Sequence, residues 1–385
     1  MGMLAVKGGR ILPITRGEIE DGVIIVDGGK ITGVGKNIDI SEAEMIDAHG
    51  KIVMPGLIDA HCHLGLCEEG FPIEGEDSNE MTDPVTPQLR SIDGINPRDQ
   101  GFSDAREGGV TTVFVPPGSD SVIDGLGYAL KTAGIVIDDM IYPNACGMKI
   151  AFGENPKRIY REQKKMPMTR MAITALLREA LTKAKAYRAN REKLAADPEK
   201  PFEPDSKMEA LIPVIERKMK VRAHAHRADD ILTALRIAKE FDLDLVIEHA
   251  TEGHQIADIL AKNHIPTVVG PLITRKKVEL REISPKTPGI LAKAGVKVAL
   301  MTDHPAIPIQ YLSLYGALAV KNGMAKEDAL KALTINPAEI LGIADQVGSI
   351  EVGKDADLII LSGDPFDVRS HVEKTLINGE IVYGG

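Results

Sequence analysis

The run Ile52-Val-Met-Pro-Gly-Leu-Ile-Asp59-Ala-His61-Cys-His63 decides how the rest of this chain is read. Its apolar first half has the composition of a buried strand. Alternation along such a strand puts Asp59, His61 and His63 on one face, so that two imidazoles converge on one point. Two neutral imidazoles side by side suit a divalent metal, zinc being the common choice. An isolated His-x-His is more often a pair of histidines on a half-buried strand. Here the pattern recurs. His224-Ala-His226 ends the strand-like run Val221-Arg-Ala-His, His249 closes Leu245-Val-Ile-Glu-His, and Asp303 closes Ala299-Leu-Met-Thr-Asp. Each alone has a mundane reading, His249 as a packed core histidine and Asp303 as a helix cap. Metal-capable side chains at four strand ends point instead to one metal site.

The surrounding pattern says how those ends meet. Leu4-Ala-Val, Val23-Ile-Ile-Val-Asp and Lys30-Ile-Thr-Gly-Val are β-rich runs separated by Gly-Gly and Asp-Gly turns, and the same texture returns in Asp357-Leu-Ile-Ile-Leu and Lys374-Thr-Leu-Ile-Asn-Gly-Glu-Ile-Val-Tyr. One small β domain built from both termini, residues 1–55 and 350–385, accounts for both. Between them, over 56–349, short apolar strands alternate with amphipathic helices such as Ile231-Leu-Thr-Ala-Leu-Arg-Ile-Ala-Lys. That alternation means α/β architecture, a parallel sheet covered by helices. No Gly-rich dinucleotide fingerprint follows an early strand, so a closed (β/α)8 TIM barrel is expected, with its active site where the carboxyl ends of the strands meet. Strands three and four are placed at Ile135–Ile141 and Gly147–Phe152, which leaves little room for a helix between them. Residues 155–207, polar and broken at Pro198, Pro201 and Pro204, read as a helical insertion at the barrel mouth.

With these residues in view, the chain resembles the amidohydrolase superfamily of metal-dependent hydrolases. The signature is Met54-Pro-Gly-Leu-Ile-Asp59-Ala-His61-Cys-His63 with the later strand-end His, His and Asp. Thr334-Ile-Asn-Pro-Ala and Gly348-Ser-Ile-Glu-Val-Gly-Lys-Asp-Ala-Asp-Leu resemble the superfamily's late motif, and the likeness covers nearly the whole chain. The nearest subgroup is the imidazolonepropionase-like and Xaa-Pro or Xaa-Arg dipeptidase-like set. The resemblance implies a small β-sandwich beside the barrel and two zinc ions per chain. It assigns His61 and His63 to the buried ion, His224 and His249 to the more exposed one, and Asp303 to the buried ion and to proton transfer. His224 is preferred to His226 as ligand, leaving His226 to face substrate. Gly147-Met-Lys149-Ile-Ala-Phe resembles the motif of a carbamylated bridging lysine, so Lys149 is the expected bridge and Glu154 its rival. His304, beside Asp303, is the second expected substrate contact. The implied reaction is hydrolysis of a C–N bond in an amide, dipeptide or cyclic amide. A deaminase of a ring amidine, needing one metal, is the alternative, and a non-catalytic assembly protein is disfavoured because every main ligand position is filled.

Composition removes other classes. At 385 residues with 43 % hydrophobic and 26 % charged side chains, the chain is of globular type. A net charge of −10 argues against a general nucleic-acid binder. Cys62, Cys67 and Cys146 form no Cys-x-x-Cys pair, and a reducing cytoplasm is the simplest setting. No stretch approaches the ~20 apolar residues that span a bilayer. A small-molecule substrate is expected, with neither nucleic acid nor membrane as partner. Relatives are often dimers or larger, which leaves room for a homo-oligomer. Substrate choice lies in the loops. Glu68 and Glu69 make an acidic stretch after the first barrel strand, while Arg222 and Arg227 stand beside ligand positions where either could meet a carboxylate through its bidentate fork.

Overall fold

The computed structural model describes residues 2–70, 73–195, 202–274 and 277–384. Five strands open the chain: β1 (Leu4–Ile11), β2 (Ile19–Asp27), β3 (Lys30–Gly35), β4 (Glu44–Asp47) and β5 (Ile52–Pro55). Eight follow in the barrel: β6 (Leu57–Asp59), β7 (Val110–Val115), β8 (Ile123–Lys131), β9 (Ile141–Ala151), β10 (Lys220–Ala225), β11 (Leu245–His249), β12 (Thr267–Val269) and β13 (Val298–Leu300). Three close it: β14 (Leu358–Leu361), β15 (Val372–Ile377) and β16 (Glu380–Tyr383).

The two ends of the chain share one sheet in the order β16-β15-β14-β5-β1-β2-β3, with β4 also on β1. This sheet forks along β1. Leu4–Lys7 pairs with Glu44–Asp47, whereas Arg10 and Ile11 pair with Ile52 and Val53. The fork makes two leaves that bury a common apolar core, with Val6, Ile24, Val26 and Ile46 meeting Val53, Leu358, Ile360 and Leu376. Gly56 alone separates β5 from β6. A Cβ there would collide with the Thr111 side chain, so the close pass from one sheet to the other requires glycine.

The second sheet runs β13-β12-β11-β10-β9-β8-β7-β6. Beyond the paired strands, its edges are joined by backbone hydrogen bonds from Asp303 N to His61 O (3.3 Å) and from His63 N to His304 O (2.8 Å). These bonds close the barrel at the level of the candidate ligands. The expected barrel therefore stands, with one departure. β8 runs antiparallel to both β7 and β9. Only Pro116–Val122 separates β7 from β8, too short for the crossover a parallel pair needs. Ile135–Ile141 is accordingly not a barrel strand: Ile137–Met140 forms a short helical turn, and β9 begins at Ile141. Gly125 and Gly127 give β8 low strand propensity, which hid it in the sequence.

Three helices, Glu154–Glu162, Arg170–Ala195 and Ser206–Ile215, lie between β9 and β10. They follow the carboxyl end of β9 and so begin at the barrel mouth. Arg170 grips buried Asp230 (2.7 Å) in the helix Ala228–Phe241, and Lys207 reaches Asp83 (2.6 Å) in the loop between β6 and β7, tying the insertion to both. Pro198 and Pro201 lie outside the described residues; Pro204 precedes the last of these helices.

Candidate metal centre

Each candidate ligand is set by where its strand stops. On β6, Asp59 is fully buried and is spent on the chain itself. Its Oδ1 accepts from His61 N (3.1 Å), and its Oδ2 accepts from Thr302 Oγ1 (2.5 Å) and Thr302 N (3.1 Å). Burial pushes the Asp59 carboxyl up to about 6, against these hydrogen bonds. This residue therefore locks the end of β6 to the end of β13, the elements that carry His61 and Asp303.

Four of the five imidazoles share one arrangement. His63 Nδ1 lies 3.1 Å from Pro116 O, His249 Nδ1 2.9 Å from Gly270 O, His226 Nδ1 2.8 Å from Thr251 Oγ1, and His61 Nδ1 2.9 Å from Glu248 Oε2. Anchoring Nδ1 fixes the tautomer and leaves Nε2 as the metal donor. Among the described residues, His61 Nε2 and both nitrogens of His224 are buried without a hydrogen-bond partner. Such orphaned nitrogens are costly unless something ligates them. Burial holds His63 and His226 down to about 4, and holds His224 and His249 well below their usual value, so all four are neutral and fit to bind metal at neutral pH.

These donors form two groups that meet at His249. His61, His249 and Asp303 present ligand atoms within 4.8 Å of one another, and so do His224, His226 and His249. His63 joins the first group, its Nε2 being 3.7 Å from Asp303 Oδ1, while His61 Nε2 is 3.4 Å from the same oxygen. The backbone is bent to make this convergence. His249 (φ 70°), Ala250 (φ 48°) and Asp303 (φ 57°) all occupy the left-handed region, which costs non-glycine residues of order 1 kcal/mol or more each. A donor set of five imidazoles and a carboxylate, with buried orphan nitrogens, fits a divalent ion.

Beneath the donors lies a charged layer that the strand pattern alone does not single out. Lys149 on β9, Arg222 on β10 and Glu248 on β11 project into the barrel, with Lys149 in register with Arg222 and His224 with Glu248. Glu248 Oε2 takes Lys149 Nζ at 2.6 Å, and Oε1 takes Arg222 Nε at 2.8 Å. Burial alone would raise the Glu248 carboxyl, but His61, Lys149 and Arg222 hold it well below the usual range. A glutamate inside the apolar run Leu245-Val-Ile was the available signal. Lys149 Nζ stands 3.5 Å from His61 Nδ1, the side of the ring turned toward Glu248.

The remaining expected residues fall elsewhere. Arg222 is no substrate contact: Nη2 donates to Ala60 O (2.7 Å), its guanidinium lies 4.3 Å over Phe114, and the residue is sealed from solvent. Arg227 turns outward to Asp229 (2.8 Å). Glu154 contributes its backbone N–H to Glu279 Oε2 (3.0 Å) and belongs to neither donor group among the described residues. His226 stands in a donor group, edge-on to His224 at 4.7 Å. His304 is buried, its Nε2 3.7 Å from Glu69 Oε1, so it meets the acidic loop.

Residues 52–382 match the amidohydrolase family. The chain belongs to that family. It is a metal-dependent hydrolase of carbon–nitrogen bonds, and the donor set described above is its candidate metal centre. This amidohydrolase is 46 % identical to an amidohydrolase from Thermotoga maritima over 99 % of both chains, with a TM-score of 0.96. It is 28 % identical to the amidohydrolase tasK of Hapsidospora irregularis over 93 % of its own length, but spans only 39 % of that protein. It is 26 % identical to an imidazolonepropionase of Clostridium tetani, covering 95 % of this chain and 91 % of the other. Among the described residues no helix is long and apolar enough to cross a membrane.

Proposed function

We propose that this amidohydrolase cleaves the C–N bond of an amide, a dipeptide or a cyclic amide, using two zinc ions. His61, His63 and Asp303 would hold one ion and His224 and His249 the other, with carbamylated Lys149 between them. Bound there, the metal supplies an acidified water and a polarised carbonyl oxygen. The observation that carries this reading is the arrangement of His61, His63 and His249, each with Nδ1 anchored and the ring grouped with Asp303, next to a His224 whose two nitrogens are buried without a partner among the described residues.

Asp303 is the proton carrier of the reaction. Its carboxylate is partly open to solvent, unlike the sealed Asp59 and Glu248, and it stands against two ligand histidines. From there it takes a proton from the attacking water and returns it to the leaving nitrogen, as base and then acid. His226, which stands in a donor group, is the proposed substrate contact at the centre, and buried His304 would act through the acidic loop it meets at Glu69. Carbamylation would turn the Lys149 amine into an anion and part it from Glu248, which keeps Arg222 and His61 Nδ1–H.

The Lys149–Glu248 ion pair favours a second reading. With Lys149 held as an ammonium no bridge forms, one ion suffices, and the chemistry moves toward deamination of a ring amidine. Elemental analysis of protein purified without added metal separates the two. About two metals per chain, with turnover of dipeptides or cyclic amides, supports the first. One metal per chain, with ammonia released from ring amidines, supports the second.

A further inference from the structure

We infer that Lys277 reads a free carboxylate on the substrate, making this site selective for carboxylate-bearing amides over their neutral counterparts. The inference rests on the hydrolase reading above and adds a specificity-determining residue to it.

Lys277 lies in the loop after β12, and its side chain is 38 % exposed. Its Nζ is 2.8 Å from Glu279 Oε1 and 3.3 Å from Asn155 Oδ1. That same Glu279 oxygen lies 4.0 Å from His226 Nε2, so the ammonium stands one carboxylate away from the donor histidines. Glu279 is buried and its Oε2 is pinned by Glu154 N–H, which holds the pair in place. An ammonium has three N–H donors. One is donated to Asn155 Oδ1, and Glu279 Oε1 is an ion-pair neighbour that accepts no hydrogen bond, so among the described residues donor capacity is left for a ligand.

Among the described residues, four other cations near the mouth are closely paired, while Arg281 lies 4.0 Å from Glu252 and is largely exposed. Lys149 and Arg222 are sealed on Glu248, Arg170 is clamped to Asp230, and Arg227 turns to Asp229. The opposite wall carries the other sign. Glu69, against His304, projects from the loop after β6, across the barrel from the β9–β10 side that Asn155 and His226 occupy. A substrate laid across the donors meets the Lys277–Glu279 pair at one end and Glu69 at the other. Of the two ends, only the one with Lys277 offers an ammonium to a free carboxylate.

The test uses the zinc-loaded protein and its Lys277→Ala and Lys277→Arg variants, with N-acetylleucine, glycylleucine and their C-terminal amides as probes. KM is read by chromatography for each probe that turns over, and Kd by calorimetry for each that does not. The free acids should be preferred by about tenfold in the wild type, the worth of one charge-assisted hydrogen bond. That preference should fall below about twofold in Lys277→Ala and return in Lys277→Arg. A wild type without preference, or a Lys277→Ala variant that keeps it, overturns the inference. If no probe is hydrolysed while the binding preference is present and lost in Lys277→Ala, the substrate reading fails and Lys277 stands.

Discussion

Lys149 Nζ lies 2.6 Å from Glu248 Oε2, inside the barrel and directly beneath the donor histidines, with both side chains sealed from solvent. Glu248 also orients His61 through Nδ1 at 2.9 Å, so the ion pair and the first ligand histidine are one unit. Removing one member leaves the other charge buried and unpaired. Lys149→Met should therefore destabilise the metal-stripped protein by about 3 to 5 kcal/mol, read from urea denaturation. The same variant distinguishes the two metal readings. A carbamate bridge predicts that metal content falls from two to one on this substitution. Unchanged content means that Lys149 supports the site from below and ligates nothing.

Asp303 is the one carboxylate of the donor set, and its backbone is held in a left-handed conformation to put it there. Asp303→Asn keeps the shape but cannot take a proton. Turnover should fall by about 10²-fold or more, the usual contribution of a positioned acid–base group. The histidines should still retain metal. Equal activity in the variant removes Asp303 from the proton path.

Acid should weaken the fold once the metal is stripped. Burial holds His63, His226 and His304 at about 4, while unfolded imidazoles titrate near 6.5. Between these values the unfolded chain binds more protons than the folded one, so stability rises with pH across the window and is lost as pH falls from about 6.5 toward 4. Urea midpoints of metal-free protein at about pH 7.5 and about pH 5 should differ accordingly, with the lower midpoint in acid. Coincident midpoints mean that these rings are hydrated and not sealed as described.

Much of the barrel and most of the donor set were legible in the residues themselves. Strand-end histidines announce themselves because a polar ring directly after an apolar run is costly to bury unless something binds it, and His61, His63, His224, His249 and Asp303 all converge. What escaped has physical causes. β8 is glycine-containing and its antiparallel direction follows from a short connection, neither of which shows in a hydrophobic pattern. Arg222 beside a histidine looks like a substrate contact, since sequence alternation does not tell the layer at the donors from the layer below. Its buried partner, Glu248, lies on the neighbouring strand, and pairing between strands is a tertiary fact. Lys277 lies in a loop without regular periodicity, and only folding brings it to Asn155 and Glu279.

The join between the two sheets makes the last prediction. Lys131, at the end of β8, donates to Asp355 Oδ2 (2.7 Å), Asp357 Oδ1 (3.0 Å) and Asn378, all from the terminal domain. Its side chain is only 11 % exposed, and Asp355 is further paired with Lys30. Burial raises the Asp357 carboxyl even with Lys131 beside it, so the cation is what makes an ionised Asp357 tolerable there. Lys131→Met should cost about 3 to 5 kcal/mol of stability, because it strands buried carboxylates and not because it loses apolar contact. Adding Asp357→Asn to Lys131→Met should recover part of that loss, whereas Asp357→Asn alone should destabilise. If Lys131→Met leaves the urea midpoint where it was, water reaches this junction, and the two sheets are held together by apolar packing alone.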